Sequence, residues 1–242
     1  MPAGARALAV APDFAGTIWA PNGHAAFRSQ DGGHSWQRVR DSTGALGVAF
    51  SESHAYVIVP DGARIGDYGG RALARGLPTP APFVSISSPY HRTDRFYALD
   101  ADGGLWLSIN QGRHWQRLRA QGLPPNGVTV SSVRDLITMP DIVYVCTTQG
   151  LYRSLDDGAS FQAVAGVADP RMVAMTTDDQ DLVLVAAGDG LYRSVDRGAH
   201  FSKVSDAVAT AVAYDPRNHR LAYAAVGDRL LRSTDAGATW NR

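Results

Sequence analysis

Ser194-Val195-Asp196-Arg197-Gly198-Ala199-His200-Phe201 decides the reading of this chain, because the same octet keeps returning. It recurs at 29–36 (Ser29, Asp31, Gly33, Trp36), at 154–161 (Ser154, Asp156, Gly158, Phe161) and at 233–240 (Ser233, Asp235, Gly237, Trp240). A fifth copy at 108–115 keeps Ser108, Gly112 and Trp115 but carries Asn110 in place of the acid. A degraded sixth lies around Asp67 and Gly69, where Ile65 stands for the serine and Ala72 for the aromatic residue. The copies start at 29, 65, 108, 154, 194 and 233, so the intervals are 36, 43, 46, 40 and 39 residues. A period near 40 is the length of a four-stranded propeller blade.

The residues between the octets agree with that period. In the fifth unit, 173–176, 182–187, 191–194 and 201–204 read as four short strands separated by turn signals. The second strands are β-branched and aromatic, as in 55–59 and 142–146. The inner strands are built of smaller residues, as in Ala7-Leu8-Ala9-Val10, which suits strands crowded around a central channel. Six units are expected, at about 6–41, 42–78, 79–121, 122–166, 167–205 and 206–242, forming one domain over 1–242. The expectation is an all-β, six-bladed β-propeller of four-stranded antiparallel blades. The alternative is a fragment of a seven-bladed ring.

Each fixed position of the octet has a turn-forming role. The Asp carboxylate can accept backbone N–H bonds within its own turn, and Ser can do the same more weakly. Gly supplies a positive φ. The aromatic residue opens the next strand and buries a large face, worth about 1.5–3 kcal/mol. A calcium loop would need more carboxylates than one octet supplies. The octet resembles the Asp-box, or bacterial neuraminidase repeat, of a superfamily of β-propellers. That superfamily includes sialidases, xyloglucanases, sortilin-type receptors and photosystem II assembly factors. The resemblance covers essentially the whole chain and is nearest the assembly-factor type. It implies a fold rather than an activity, with the boxes on the face opposite the ligand site.

Composition narrows the function classes. The chain has 242 residues, 45% of them hydrophobic, with 23 basic and 23 acidic residues and no formal net charge. Nucleic acid is therefore not an expected partner. No apolar run approaches the length of a membrane-spanning helix, so membrane insertion is not expected. The N-terminus has no long apolar stretch of the signal-peptide kind, which leaves either a cytoplasmic protein or a secreted one after processing. The single cysteine, Cys146, precludes an intrachain disulfide. The acids are 22 Asp and one Glu (Glu52), and the bases 22 Arg and one Lys (Lys203).

That one Glu weighs against sialidase chemistry, which the resemblance would otherwise bring to mind. The family uses an arginine triad, a Tyr activated by Glu, and an Asp acid/base. Glu52 joins a first to a second strand, on the box side, and the nearest string to the family's Arg-Ile-Pro is Arg64-Ile65-Gly66 in the wrong unit. A hydrolase working with Asp residues, as xyloglucanases do, remains the alternative, with Asp135 as its candidate. The seven histidines show no metal-ligand spacing, and no phosphate loop or nucleophile elbow is present, so neither metal nor cofactor is expected.

The expected function is non-catalytic binding, by a monomer, of another protein or a glycan at the face opposite the boxes. The candidate contacts are His24, Arg134, Asp135, Arg171, and Gln121 and Asn126 at the ends of the longest loop. Arginine also recurs directly before the box serine, at Arg28, Arg153, Arg193 and Arg232, which reads as a repeated inter-blade or edge contact.

Overall fold

The structure is a computed structural model that describes residues 1–12, 14, 16–51, 54–76, 78–89, 94–125, 127–134, 140–176 and 181–241; of Arg75, Ser132, Val133 and Arg134 it describes the backbone alone. The chain is a six-bladed β-propeller. Blade 1 is β1 (Ala9–Val10), β2 (Ile18–Pro21), β3 (Ala26–Ser29) and β4 (Gln37–Arg38). Blade 2 is β5 (Gly47–Phe50), β6 (His54–Val59), β7 (Gly62–Asp67) and β8 (Ala74–Arg75). Blade 3 is β9 (Phe83–Ser87), β10 (Phe96–Asp100), β11 (Leu105–Ser108) and β12 (Gln116–Arg117). Blade 4 is β13 (Gly127–Arg134), β14 (Asp141–Thr147), β15 (Gly150–Ser154) and β16 (Gln162–Val164). Blade 5 is β17 (Pro170–Met175), β18 (Val183–Ala187), β19 (Gly190–Ser194) and β20 (Ser202–Ser205). Blade 6 is β21 (Ala211–Asp215), β22 (Asn218–Val226) and β23 (Arg229–Ser233). Its fourth strand is reduced to a single bridge between Arg232 and Asn241. Every blade is an antiparallel meander in chain order, and the described residues contain no helix.

The second strands are buried on both faces: every residue of β10 and β18 is buried. A blade therefore cannot bury its own apolar surface and must be sandwiched by neighbours. Six apolar clusters result, one at each seam. Trp19 and Val39 of blade 1 meet Val57 and Tyr68 of blade 2. Tyr56 of blade 2 packs on Phe96 of blade 3, with ring centroids 4.6 Å apart. The ring closes without a strand exchanged between the blades: Leu8, Ile18 and Ala20 of blade 1 lie against Ala211, Tyr223 and Ala225 of blade 6. The Thr210 hydroxyl seals that seam on the Ala5 carbonyl at 2.6 Å.

The repeated turns share one geometry. The serine hydroxyl donates to the acid two residues on, at 2.7 Å in Ser29–Asp31, Ser154–Asp156, Ser194–Asp196 and Ser233–Asp235. The same oxygen accepts the glycine N–H four residues on, at 2.8 Å in Gly33, Gly198 and Gly237. The acid in turn accepts the N–H of Ser35, Ser160, His200 or Thr239. Asn110 reproduces this with its amide oxygen, accepting from His114 N–H at 2.8 Å. Two successive residues have positive φ, for example Arg197 (59°) and Gly198 (74°), and a side chain at Gly198 would collide with the Tyr144 hydroxyl of blade 4. Of the aromatic residues that follow, Phe161 is buried while Trp36, Trp115, Phe201 and Trp240 are half-buried.

The blade 2 turn departs from the sequence expectation. Residue for residue, Ala72 falls at the aromatic position. In blade 4 that position is Phe161, whose N–H donates to the Gln121 carbonyl of blade 3. The equivalent bond in blade 2 is made by Leu73, to the Arg40 carbonyl of blade 1. The degraded turn is thus one residue longer, and Leu73, 5% exposed, fills the aromatic site.

Candidate functional site

The boxes join third to fourth strands, so antiparallel alternation puts the start of every inner strand on the opposite face. There the six blades surround a cavity of about 470 Å³. Among the residues that line this mouth, one stands at the equivalent place in each blade: Arg6, Leu46, Val84, Val128, Arg171 and Thr210, from blades 1 to 6 in order. Three of the six are produced by the same device. β9, β13 and β17 each shift register by one residue near their start, which leaves Val84, Val128 and Arg171 without a cross-strand partner. Such a bulge re-aims a side chain. In blades 1, 2 and 6 the residue precedes the strand, and its N–H still bonds across to the second strand: Arg6 to Pro21, Leu46 to Ile58, Thr210 to Ala225.

The order around the ring separates charge from apolar surface. Leu46, Val84 and Val128 form a continuous arc over blades 2 to 4, and Val128 is 44% exposed. Arg171, Thr210 and Arg6 complete the circle over blades 5, 6 and 1. Arg171 has one carboxylate near, Asp169 at 3.4 Å, which faces solvent. Arg6 is exposed and has no ion pair among the described residues. The hydroxyls beneath are already engaged: Thr129 donates to the Arg171 carbonyl at 2.6 Å, and Ser131 to the Val173 carbonyl at 2.7 Å. Ser85 accepts from Val130 N–H at 3.1 Å. These bonds tie adjacent inner strands together, so the ring rests on a braced wall.

Among the described residues, no carboxylate, cysteine or histidine lines the mouth. The buried acid nearest this face, Asp100, accepts the N–H groups of Asp102 and Gly104 and the Trp106 indole N–H, which is a turn-fixing role. Two guanidiniums and an apolar arc can bind an anion joined to hydrocarbon.

The structure disperses the sequence candidates. Arg171 lies in the ring. His24 is close to it: a side chain at its neighbour Gly23 would meet the Arg6 guanidinium at 3.0 Å. Gln121 is held elsewhere, pinned on the blade 4 box turn by its N–H to the Ala159 carbonyl and by its own carbonyl to Phe161 N–H. The loop beyond it folds over its own blade, with Leu123, Pro124 and Pro125 beside Gly103 and Leu105. Arg134 ends β13, and its backbone pairs with Asp141 at the box end, far along the strand from Val128. Asp135 and Asn126 lie outside the described residues, as does Glu52. Sequence reading missed Arg6 and Thr210. Aligning the inner strands on their small residues would have placed Arg6 level with Arg171.

Three of the four arginines before the box serines cross the seams, while Arg232 stands beside Tyr223 of its own blade. Arg153 donates to the Arg197 carbonyl at 2.6 Å, and Arg193 to the Ala236 carbonyl at 2.8 Å, each in the next blade's turn. Arg28 donates to the carbonyls of Gly69 and Gly70 in blade 2. One further seam carries buried charge. Asp141 of blade 4, with no exposed side-chain surface, accepts from Arg95 (2.9 Å) and from the Tyr97 hydroxyl (2.8 Å) of blade 3. Burial opposes the charge of Arg95, but the Asp141 hydrogen bond and charge outweigh it and raise its pKa. Burial, with Asp141 beside it, also drives the Tyr97 phenol well above its ordinary value.

No family model matches the chain, and no curated protein sequence does. Many solved structures do. The chain is similar to the GH74 xyloglucanase from Xanthomonas campestris, with a TM-score of 0.68 and 18% identity over 99% of this chain and 45% of that one. It is similar to YCF48 from Cyanidioschyzon merolae, with a TM-score of 0.59 and 16% identity over 100% of this chain and 86% of that one. It is also similar to PorZ, a surface component of the type-IX secretion system of Porphyromonas gingivalis, with a TM-score of 0.62 and 12% identity over 100% of this chain and 38% of that one. The chain spans less than half the length of the GH74 proteins it matches. What these enzymes and non-GH74 proteins share with this chain is the β-propeller fold.

Proposed function

We propose that this chain is a non-catalytic binding module of the Asp-box superfamily, folded as one domain. Its channel mouth receives an acidic side chain flanked by apolar ones on a partner protein. The segregated ring carries the reading: Arg171, Thr210 and Arg6 occupy one arc, and Leu46, Val84 and Val128 the other. The cationic arc suits a carboxylate, and the apolar arc suits hydrocarbon more than the hydroxyl-rich face of a sugar. Four strict copies of the Ser–Asp–Gly turn, with matching hydrogen bonds, support the superfamily assignment.

Isothermal titration against short peptides tests it. In each peptide Asp or Glu flanks Leu, Val or Phe, and each is paired with its Asn or Gln counterpart. The acidic peptides should bind, more weakly as salt rises. Arg6→Ala and Arg171→Ala should each weaken them by about tenfold, the loss of one charged hydrogen bond. Equal binding of acid and amide peptides would refute the reading. So would a mouth that ignores all peptides and binds oligogalacturonate.

A further inference from the structure

A second cationic cavity lies on the rim, at the seam between blades 1 and 2, where the box turn is one residue too long. Arg28 on β3 is 2% exposed there. Its Nη1 is held by the Gly69 and Gly70 carbonyls and its Nη2 by Gln30 Oε1 at 3.2 Å, while Nε is buried with no acceptor. Arg38 and Arg40 stand two residues apart on the outer strand and its extension; Arg28 lies opposite Gln37 in the register of β3 and β4, so Arg38 leaves the strand on the other face and flanks the cavity from the outer edge. The backbone of Arg40 pairs with blade 2, its N–H donating to the Arg71 carbonyl at 2.9 Å. Arg28, Arg38, Arg40 and Arg71 together line a cavity of about 230 Å³.

No carboxylate lines it, and none of the four arginines has an ion pair among the described residues. In a chain with 23 acids for 23 bases, four unneutralised guanidiniums in one cavity are a segregation of charge. Burial, and then the charge of Arg71, push the Arg28 pKa down, as expected where cations face each other without a counter-ion. Arg153 and Arg193 hold the positions equivalent to Arg28 in blades 4 and 5 and make the same stitch to the next blade.

We propose that this rim cavity binds a tetrahedral oxyanion, a phosphate or sulfate group, held across the seam by Arg38, Arg40 and Arg71 over the fixed charge of Arg28. One guanidinium fork satisfies the two oxygens of a carboxylate. Three exposed arginines from two blades, lining one cavity with a fourth, suit a group with four oxygens and two charges. The site is distinct from the channel mouth and draws on no residue of it.

The test is isothermal titration of the intact protein with inorganic phosphate and with inorganic sulfate, each against chloride at matched ionic strength. Arg38→Gln and Arg71→Gln are exposed changes that leave the core untouched. Each should weaken the oxyanion by about tenfold or more, whereas Arg171→Ala should leave it unchanged. A preference for phosphate points to a phosphate ester as the natural group, and a preference for sulfate to a sulfate ester. The same anion should raise the Tm of the native protein and lose that effect in Arg71→Gln, since binding couples to folding. The proposal fails if phosphate and sulfate act no differently from chloride, or if Arg38→Gln and Arg71→Gln bind as the native protein does.

Discussion

Replacing Arg95 by Met should expose how much one seam depends on buried charge. The Asp141 side chain has no exposed surface and Arg95 is 16% exposed, while Asp157, the second acid on Arg95, is 38% exposed and keeps water. Arg95→Met removes the guanidinium from the Asp141 carboxylate while the Tyr97 hydroxyl stays in place. Breaking such a buried pair from one side costs about 3–5 kcal/mol. The retained phenol and the partial exposure of Arg95 place this case near 3 kcal/mol. For a chain of this size that is a fall in Tm of roughly 6–12 °C. Urea denaturation followed in parallel by tryptophan fluorescence and circular dichroism measures it, and coincident curves license the free energy. The double variant Arg95→Met with Asp141→Asn removes both charges and keeps an acceptor for Tyr97. It should recover most of the loss and lie within about 1–2 kcal/mol of the native chain. A single-variant loss below about 1 kcal/mol, or a double variant whose loss is the sum of the two singles, would refute the idea that this seam is held by paired charge.

Three further expectations concern the turns and the core. Ser194→Ala removes the acceptor of Gly198 N–H and the donor to Asp196 at a site 2% exposed, and should cost about 1–3 kcal/mol in denaturant unfolding. The box carboxyls are held below the ordinary range, Asp31 chiefly by the Ser35 hydroxyl, Asp196 by His200 N–H and Asp235 by the Thr239 hydroxyl. Their stabilising effect is therefore complete above the unfolded-state value of about 3.9 and is lost as pH falls below it. A Tm series from neutral to acid pH should show this decline. A triple Asp→Asn variant should have a flatter acid limb, since Asn110 shows that the turn accepts an amide. Burial pushes the Cys146 thiol up to about 12, so a thiol-specific reagent at mildly alkaline pH should leave the native protein unmodified and react once it is unfolded in urea.

The fold was readable because its signal is local. A serine, an acid and a glycine within five residues make nearly all the hydrogen bonds of their turn, so the octet shows its function without knowledge of any distant residue. Repetition then counts the blades. What the sequence concealed depends on contacts between blades. The extra residue in the blade 2 turn is invisible until Leu73 N–H is seen to bond the Arg40 carbonyl. Gln121 looked like a free loop residue because the box turn that pins it lies about forty residues away. The mouth is the sharpest case. Arg171 enters it through a register shift, a property of strand pairing that no local pattern records, and Arg6 precedes the first strand altogether. Arg134 had the charge expected of a channel group, but eight residues of strand carry it to the other end.

The closing seam has a consequence for how the ring comes apart. Thr210 and Ala5 are 205 residues apart in sequence, the longest reach of any hydrogen bond described above. Closing a free loop of that length costs only about 1.5 kcal/mol more than closing one of forty residues, because the entropy grows with the logarithm of length. The five other seams shrink even that difference, since they already carry the two ends toward each other. Yet only at this seam does no intervening polypeptide hold the partners together once the side chains part. The other blades are tethered neighbours that re-dock as soon as they separate, whereas blades 1 and 6 can swing away as a pair of gate leaves. Hydrogen exchange should therefore be fastest along this seam if the ring opens there first, and Arg6 and Thr210 of the mouth stand on either side of it.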